Sequence, residues 1–372
     1  MKKPRLDAIL YIRGISMLGV IGIHIGSVYL SENAAANLSL VVCFEILTRF
    51  AVPIFFFISA FGLFYNLDSN EEFSYKDFLK RRLNAVFLPY VVWSMIYTVH
   101  DAWFYGVGMP TFDHFLRSLF FGFTKYHLYF LVILIWFYLL MPLWIVVVKR
   151  LNLKWLAFLL MAQIIFDYWS SYDRTFNIYV YSLPESFYKD FFMYRLNFWV
   201  LHYFFIFLLG GYLSLNSNRF MAELKNHYKT VGLFFVATTA AMIGGFYWCV
   251  VKLGYKGIDA VNTVHQLSPM GILYTVAASL FFFWLFSYKP YPKIFNKILD
   301  GLGSHSYFVY LAHPLAISWL TAIFFTKAQP VIAAQAIALY LAVLVFTLVV
   351  AVVCQKLYKK VPLLGKLLIG AR

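Results

Sequence analysis

The chain is poor in charge. Only 13% of its 372 residues are Asp, Glu, Lys or Arg, about half the share that soluble domains carry. It has three cysteines, with no Cys-x-x-Cys pair and no Cys/His ligand spacing, which excludes a disulfide framework and a zinc site as organising devices. Acid is scarce beside base, 16 residues against 31, but the +15 surplus has no basic face on a polar module to serve, and nucleic-acid binding is excluded on that ground. No repeat or low-complexity tract stands out. Apolar side chains are what is abundant: 62% hydrophobic residues, 41 Phe, 28 Tyr and 10 Trp, with a mean hydropathy of +0.74. Too few polar residues remain to cover a soluble surface of this size, so lipid covers it.

About 20 apolar residues cross the hydrocarbon core as a helix. Ten stretches qualify, near 9–30, 42–65, 84–106, 127–148, 153–170, 197–215, 230–251, 268–288, 305–326 and 331–354. The expected fold is all-α, one polytopic domain over residues 1–372, with both termini on the cytoplasmic side of the membrane. In that orientation 21 of the 31 basic residues lie inside and eight outside, and the other two, Arg13 and Arg49, fall within spans. Lys2, Lys3 and Arg5 before the first run and Ala34-Ala35-Ala36 after it resemble a secretion signal, but Arg13 and His24 inside the run argue for a retained span. The longest polar connection is 171–196. The tail beyond Lys356 is expected to lie along the inner membrane surface through Leu363, Leu364, Leu367 and Leu368.

A charge at membrane depth costs about 2.5 to 3.5 kcal/mol on insertion scales and persists where a cavity or a partner receives it. Arg13 and His24 are 11 residues apart, about 1100° of helix and about 16 Å of rise, which puts them on one face. Alone, Arg13 reads as a snorkelling arginine and His24 as an interhelical hydrogen bond. Together they read as a general base deep in the span and a cation nearer the cytoplasmic mouth, able to hold a phosphate or steady a carbonyl. Glu45 and Arg49 have the spacing of a helical ion pair, either neutralising each other or lining a cavity. Residues 52–62 combine Pro53 with the small residues Ser59, Ala60 and Gly62, which permit close helix approach. Lys80-Arg81-Arg82 ahead of the third span is a positive-inside anchor or a grip on donor phosphates. His127 and Tyr129 open the fourth span, and His313 precedes Pro314 in the ninth, where it caps carbonyls freed by the proline or lines the cavity.

In this order the segments resemble the acyltransferase family 3 membrane proteins. Arg13, ten residues and His24 are similar to that family's first-span pattern, and 52–62 to its proline, phenylalanine-run and serine-glycine segment, with Ala60 for the usual glycine. Lys80-Arg81-Arg82 followed by Pro89-Tyr90 resembles its basic third-span motif, with Asn84-Ala85 where a second basic pair often stands. His127 to Leu131 and Ser306 to Pro314 resemble its later motifs. The resemblance implies an enzyme that moves an acetyl or succinyl group from cytoplasmic acyl-coenzyme A to a hydroxyl of a cell-surface or exported glycan. His24 and Arg13 would be its catalytic residues and Lys80, Arg81 and Arg82 would hold the coenzyme. Glu45, Arg49, Ser59, His127, Tyr129 and His313 are the expected cavity residues, and no metal is expected. Members of stand-alone appearance, without an added extracytoplasmic hydrolase-like domain, are associated with exopolysaccharide modification. That implies membrane lipid, a glycan acceptor and either polysaccharide synthesis and export machinery or a separate extracytoplasmic transferase as partners. An exporter or flippase without acyl chemistry is the competing class.

Overall fold

The computed structural model describes residues 6–32, 36–67, 73–195, 199–289, 291–325 and 331–370. Lys2, Lys3, Arg5, Ala34, Ala35 and the start of the expected sixth span at 197–198 lie outside the described residues. Every regular element among them is helical: α1 (Asp7–Glu32), α2 (Leu38–Val41), a wide turn (Val42–Ile46), α3 (Ala51–Tyr65), α4 (Tyr75–Arg82), a second wide turn (Leu83–Phe87), α5 (Leu88–Phe104), α6 (Phe112–Phe121), α7 (Tyr129–Leu139), α8 (Met141–Arg150), α9 (Leu153–Tyr172), α10 (Arg174–Ser182), α11 (Phe187–Arg195), α12 (Phe204–Leu215), α13 (Ser217–Asn226), α14 (Tyr228–Val251), α15 (Gly257–Thr263), α16 (Pro269–Tyr288), α17 (Lys293–Phe324), α18 (Ala333–Lys360) and α19 (Pro362–Ile369). The chain forms two compact units, one of residues 1–66 and 206–352 and the other of 67–205 and 353–372.

Eight helical stretches among the described residues are long and apolar enough to cross a membrane, and a ninth is the pair α7 and α8, bent by 70°. The expectation of ten spans is therefore reduced. The expected fourth span breaks at Leu140 because Pro142, in the first turn of α8, has no N–H to carry the α7 ladder onward. The expected fifth span is the 20-residue α9, but Lys154, Gln163 and Asp167 keep it below the apolarity of the others.

In the first unit α1 is the central element, with the second span, α16 and α17 packed around it. Gly303 of α17 lies so close to α1 that a β-carbon there would stand 2.2 Å from the Leu10 carbonyl oxygen, and one on Gly14 would stand 3.0 Å from that of Leu299. Ten residues further along both helices, the rings of His24 and His313 stack. α1 and α17 thus run parallel. A chain can return to the same direction only after an odd number of intervening crossings. Five single spans separate the two helices, so the α7/α8 pair and α9 either both cross or neither does.

Candidate active site

His24 and His313 stack with ring centroids 5.2 Å apart and planes at 23°. His313 is fully buried, and Pro314 explains its orientation. An ordinary residue at 314 would donate its N–H to the carbonyl of Tyr310, four positions back, and proline cannot. The Nδ1 of His313 stands 2.7 Å from that carbonyl oxygen and 3.2 Å from that of Val309. A carbonyl only accepts, so Nδ1 carries the proton and donates, and Nε2 carries the lone pair. Capping of the freed carbonyl and a defined imidazole tautomer are one arrangement here. Ser318 Oγ donates to the Pro314 carbonyl at 3.0 Å, securing the next turn.

One turn above His24, Ser27 Oγ donates to Glu45 Oε1 at 2.8 Å. Glu45 is 1% exposed and sits in the wide turn Val42–Ile46. Arg49 Nη2 donates to its other oxygen at 2.9 Å, giving the expected ion pair. Arg49 reaches further, with Nη1 3.2 Å from Gln266 Oε1 and Nη2 3.4 Å from the Val261 carbonyl. The pair is therefore a joint between α1, the second span and the segment before α16. Gly26 makes it possible, since a β-carbon there would stand 2.8 Å from Glu45 Cγ.

Because α1 is unbroken over its 26 residues, Arg13, Ser16, Val20, His24 and Ser27 follow one face. Ser16 Oγ is buried with no hydrogen-bond partner among the described residues. Arg13 is exposed near the start of the helix, about 16 Å below His24 along the axis. Ser59 is half-buried on α3. The close approach there belongs to Ala60 and to Gly210 of α12, where a β-carbon would stand 2.3 Å from the Phe57 carbonyl oxygen, while one on Gly62 would meet no described atom within 4 Å.

The remaining expected residues belong to the second unit. Lys80 and Arg81 are exposed in the last turn of α4. Arg82 turns away from them, with its guanidinium 5.6 Å from the Phe78 ring and 5.7 Å from that of Tyr138. The tail docks on α5, with Trp93 Nε1 donating to the Leu368 carbonyl at 2.9 Å, while Leu363 and Leu364 stay exposed. A β-carbon on Gly370 would stand 2.3 Å from the carbonyl oxygen of Ala85, so the place where a basic pair often stands is a docking point for the tail. His127 is buried between Tyr97 and Tyr126, at 5.3 and 5.8 Å between centroids. Tyr129 begins α7. No three His, Cys, Asp or Glu side chains converge as metal ligands among the described residues.

Sequence reasoning missed Ser27 and Gln266. Ser27 was within reach, since it lies three residues after His24 on the same helix face. Gln266 left no signal, because its partner Arg49 is 217 residues away.

A many-spanning helical protein with paired histidines and a satisfied ion pair held at membrane depth has the build of an intramembrane enzyme. Its residues 6–356 match the family described as an acyltransferase domain, and the chain belongs to acyltransferase family 3. It is accordingly a multi-pass membrane acyltransferase. No curated protein and no solved structure matches it.

Proposed function

We propose that the protein transfers an acetyl or succinyl group from acyl-coenzyme A on the cytoplasmic side to a hydroxyl of an exported or cell-surface glycan, with His24 as general base. The observation that carries this reading is the stack of His24 on His313, a ring whose tautomer is fixed, on the α1 face that also bears Arg13. His24 accepts the hydroxyl proton as the acceptor oxygen bonds to the thioester carbon. The carbon–sulfur bond breaks, and the proton passes from the imidazolium to the departing thiolate, so the step is balanced without an added reactant. Arg13, about 16 Å from His24 along the helix axis, orients the donor rather than touching the reacting carbonyl. The donor's extended pantetheine arm spans the interval between Arg13 and His24.

Lys80 and Arg81, exposed at the end of α4, are free to turn toward the coenzyme phosphates, and Arg82 is held on its rings as their support. The excess of basic residues in the segments before α1, before α5 and after α18 supports a cytoplasmic N-terminus in a bacterial plasma membrane. A separate extracytoplasmic transferase or the polysaccharide export machinery would receive or present the glycan.

The test is transfer of label from acetyl- and succinyl-coenzyme A by purified protein in liposomes. His24→Ala, folded and inserted, is expected to lower turnover by about 10² to 10⁴. Wild-type turnover in that variant overturns the assignment of His24. Absence of turnover with either donor, while glycan still crosses the membrane, identifies an exporter instead.

A further inference from the structure

Behind the α1 face that bears Arg13 and His24 lies a cavity of about 470 Å³. Its floor is Ile15, Leu18, Gly19 and Gly22, about half a turn around α1 from the Arg13 and His24 stripe. Residues 43–50 of the second span form one side, and Phe235 and Thr239 of α14, Tyr274 and Phe282 of α16 and Tyr340 of α18 close the rest.

Every hydroxyl in this lining is already committed to backbone. Thr48 donates to the Phe44 carbonyl and Thr239 to that of Phe235. Tyr274 donates to the Leu47 carbonyl at 2.8 Å and Tyr340 to that of Leu18 at 3.2 Å. A water molecule needs two to four polar partners and would find only spent hydroxyl oxygens and the weak thiol of Cys43, with no strong donor, so the lining favours an apolar occupant. Its outer walls decide what reaches it. The most apolar windows of α14 and α18 are only 22% buried, against 61% for those of α1, the second span and α16. Two of its walls, α14 and α18, are thus the spans that leave most of their surface free to face the bilayer. The floor sits at the middle of α1, at the depth of fatty-chain ends.

We infer that this cavity binds one fatty-acyl chain of a bilayer phospholipid, held by its tail alone. The chain fills the space behind α1 and braces the helix that carries Arg13 and His24.

The test uses the full-length protein in phosphatidylcholine vesicles containing a phospholipid with a diazirine in one acyl chain. Cross-links are expected on peptides containing 43–50, 235–239 and 340. Two fillings of the cavity, Thr239→Trp and Cys43→Phe, are expected to lower that labelling about tenfold, equivalent to about 1.4 kcal/mol of affinity. Thr239→Val, which keeps the volume, is expected to leave it unchanged. Labelling spread evenly over α14 and α18 and indifferent to both fillings overturns the site. Displacement of the label by a polyprenyl phosphate at equimolar concentration, with no displacement by unlabelled phospholipid, overturns the phospholipid as occupant. If one filled variant fails to fold, the other carries the comparison.

Discussion

The carbonyl of Tyr310 receives from His313 Nδ1, 2.7 Å away, the hydrogen bond that the backbone of Pro314 cannot supply. A backbone defect is thereby converted into a fixed imidazole tautomer, and the ring so fixed is the one stacked on His24. Both helices are held in register by glycine contacts further down, so the stack is a consequence of how α1 and α17 meet.

Replacing Pro314 with alanine restores an N–H to Tyr310 and removes the need for His313 to donate. The helix should gain up to about 3 kcal/mol of local stability, while turnover falls and the KM for donor stays. Steady-state kinetics with a thermal unfolding scan reads both. A variant that is more stable and equally active would show that the tautomer of His313 does not matter.

His313→Phe keeps a stacking ring and loses the donor to Tyr310; His313→Gln keeps a donor and loses the ring. If the ring face supports His24, the phenylalanine variant retains more activity; if the hydrogen bond matters more, the glutamine variant does. Both are expected below wild type, and activity equal to wild type in both would remove His313 from the site.

Breaking the Glu45–Arg49 pair on one side leaves a buried charge without its partner. Glu45→Gln or Arg49→Met alone is expected to cost about 3 to 5 kcal/mol, and the double substitution clearly less than the sum. A double-mutant cycle on detergent-solubilised protein measures this. Additive losses would mean that the 2.9 Å contact carries no coupling.

Gly303→Ala places a carbon where the Leu10 carbonyl oxygen already stands and should force α1 and α17 apart, costing about 1 to 3 kcal/mol. Gly301→Ala on the same helix meets open space and serves as the control. Activity should fall with the first and persist with the second.

Parallel α1 and α17 demand that the α7/α8 pair and α9 cross together or not at all. Lys149, Arg150 and Lys154 favour crossing, since basic residues retain a loop on the cytoplasmic side. A single cysteine at Asn152, in a chain freed of its three native cysteines, is then expected to react from the same side as one at Ser217, and one at Gly108 from the other. Reaction of 152 and 108 from one side would leave eight spans.

Composition and apolar run length were enough to show an all-helical membrane protein, because hydrocarbon imposes its length and polarity on every segment that crosses it. The same logic marked Arg13, His24, Glu45 and Arg49, since a charged or titratable group at that depth stands out against its neighbours, and helical spacing paired Glu45 with Arg49 correctly. Period alone could not show where helices break: Pro142 splits a run that reads as one span, and the polar residues of α9 weaken another. Nor could it show which spans meet. The meeting of His24 with His313, the reach of Arg49 to Gln266, the rings that hold Arg82 and the docking of Gly370 on Ala85 join residues far apart in the chain. Side-chain chemistry and depth are local properties and can be read in order along the chain; partnership depends on which helix faces close together, and packing of the whole bundle decides that.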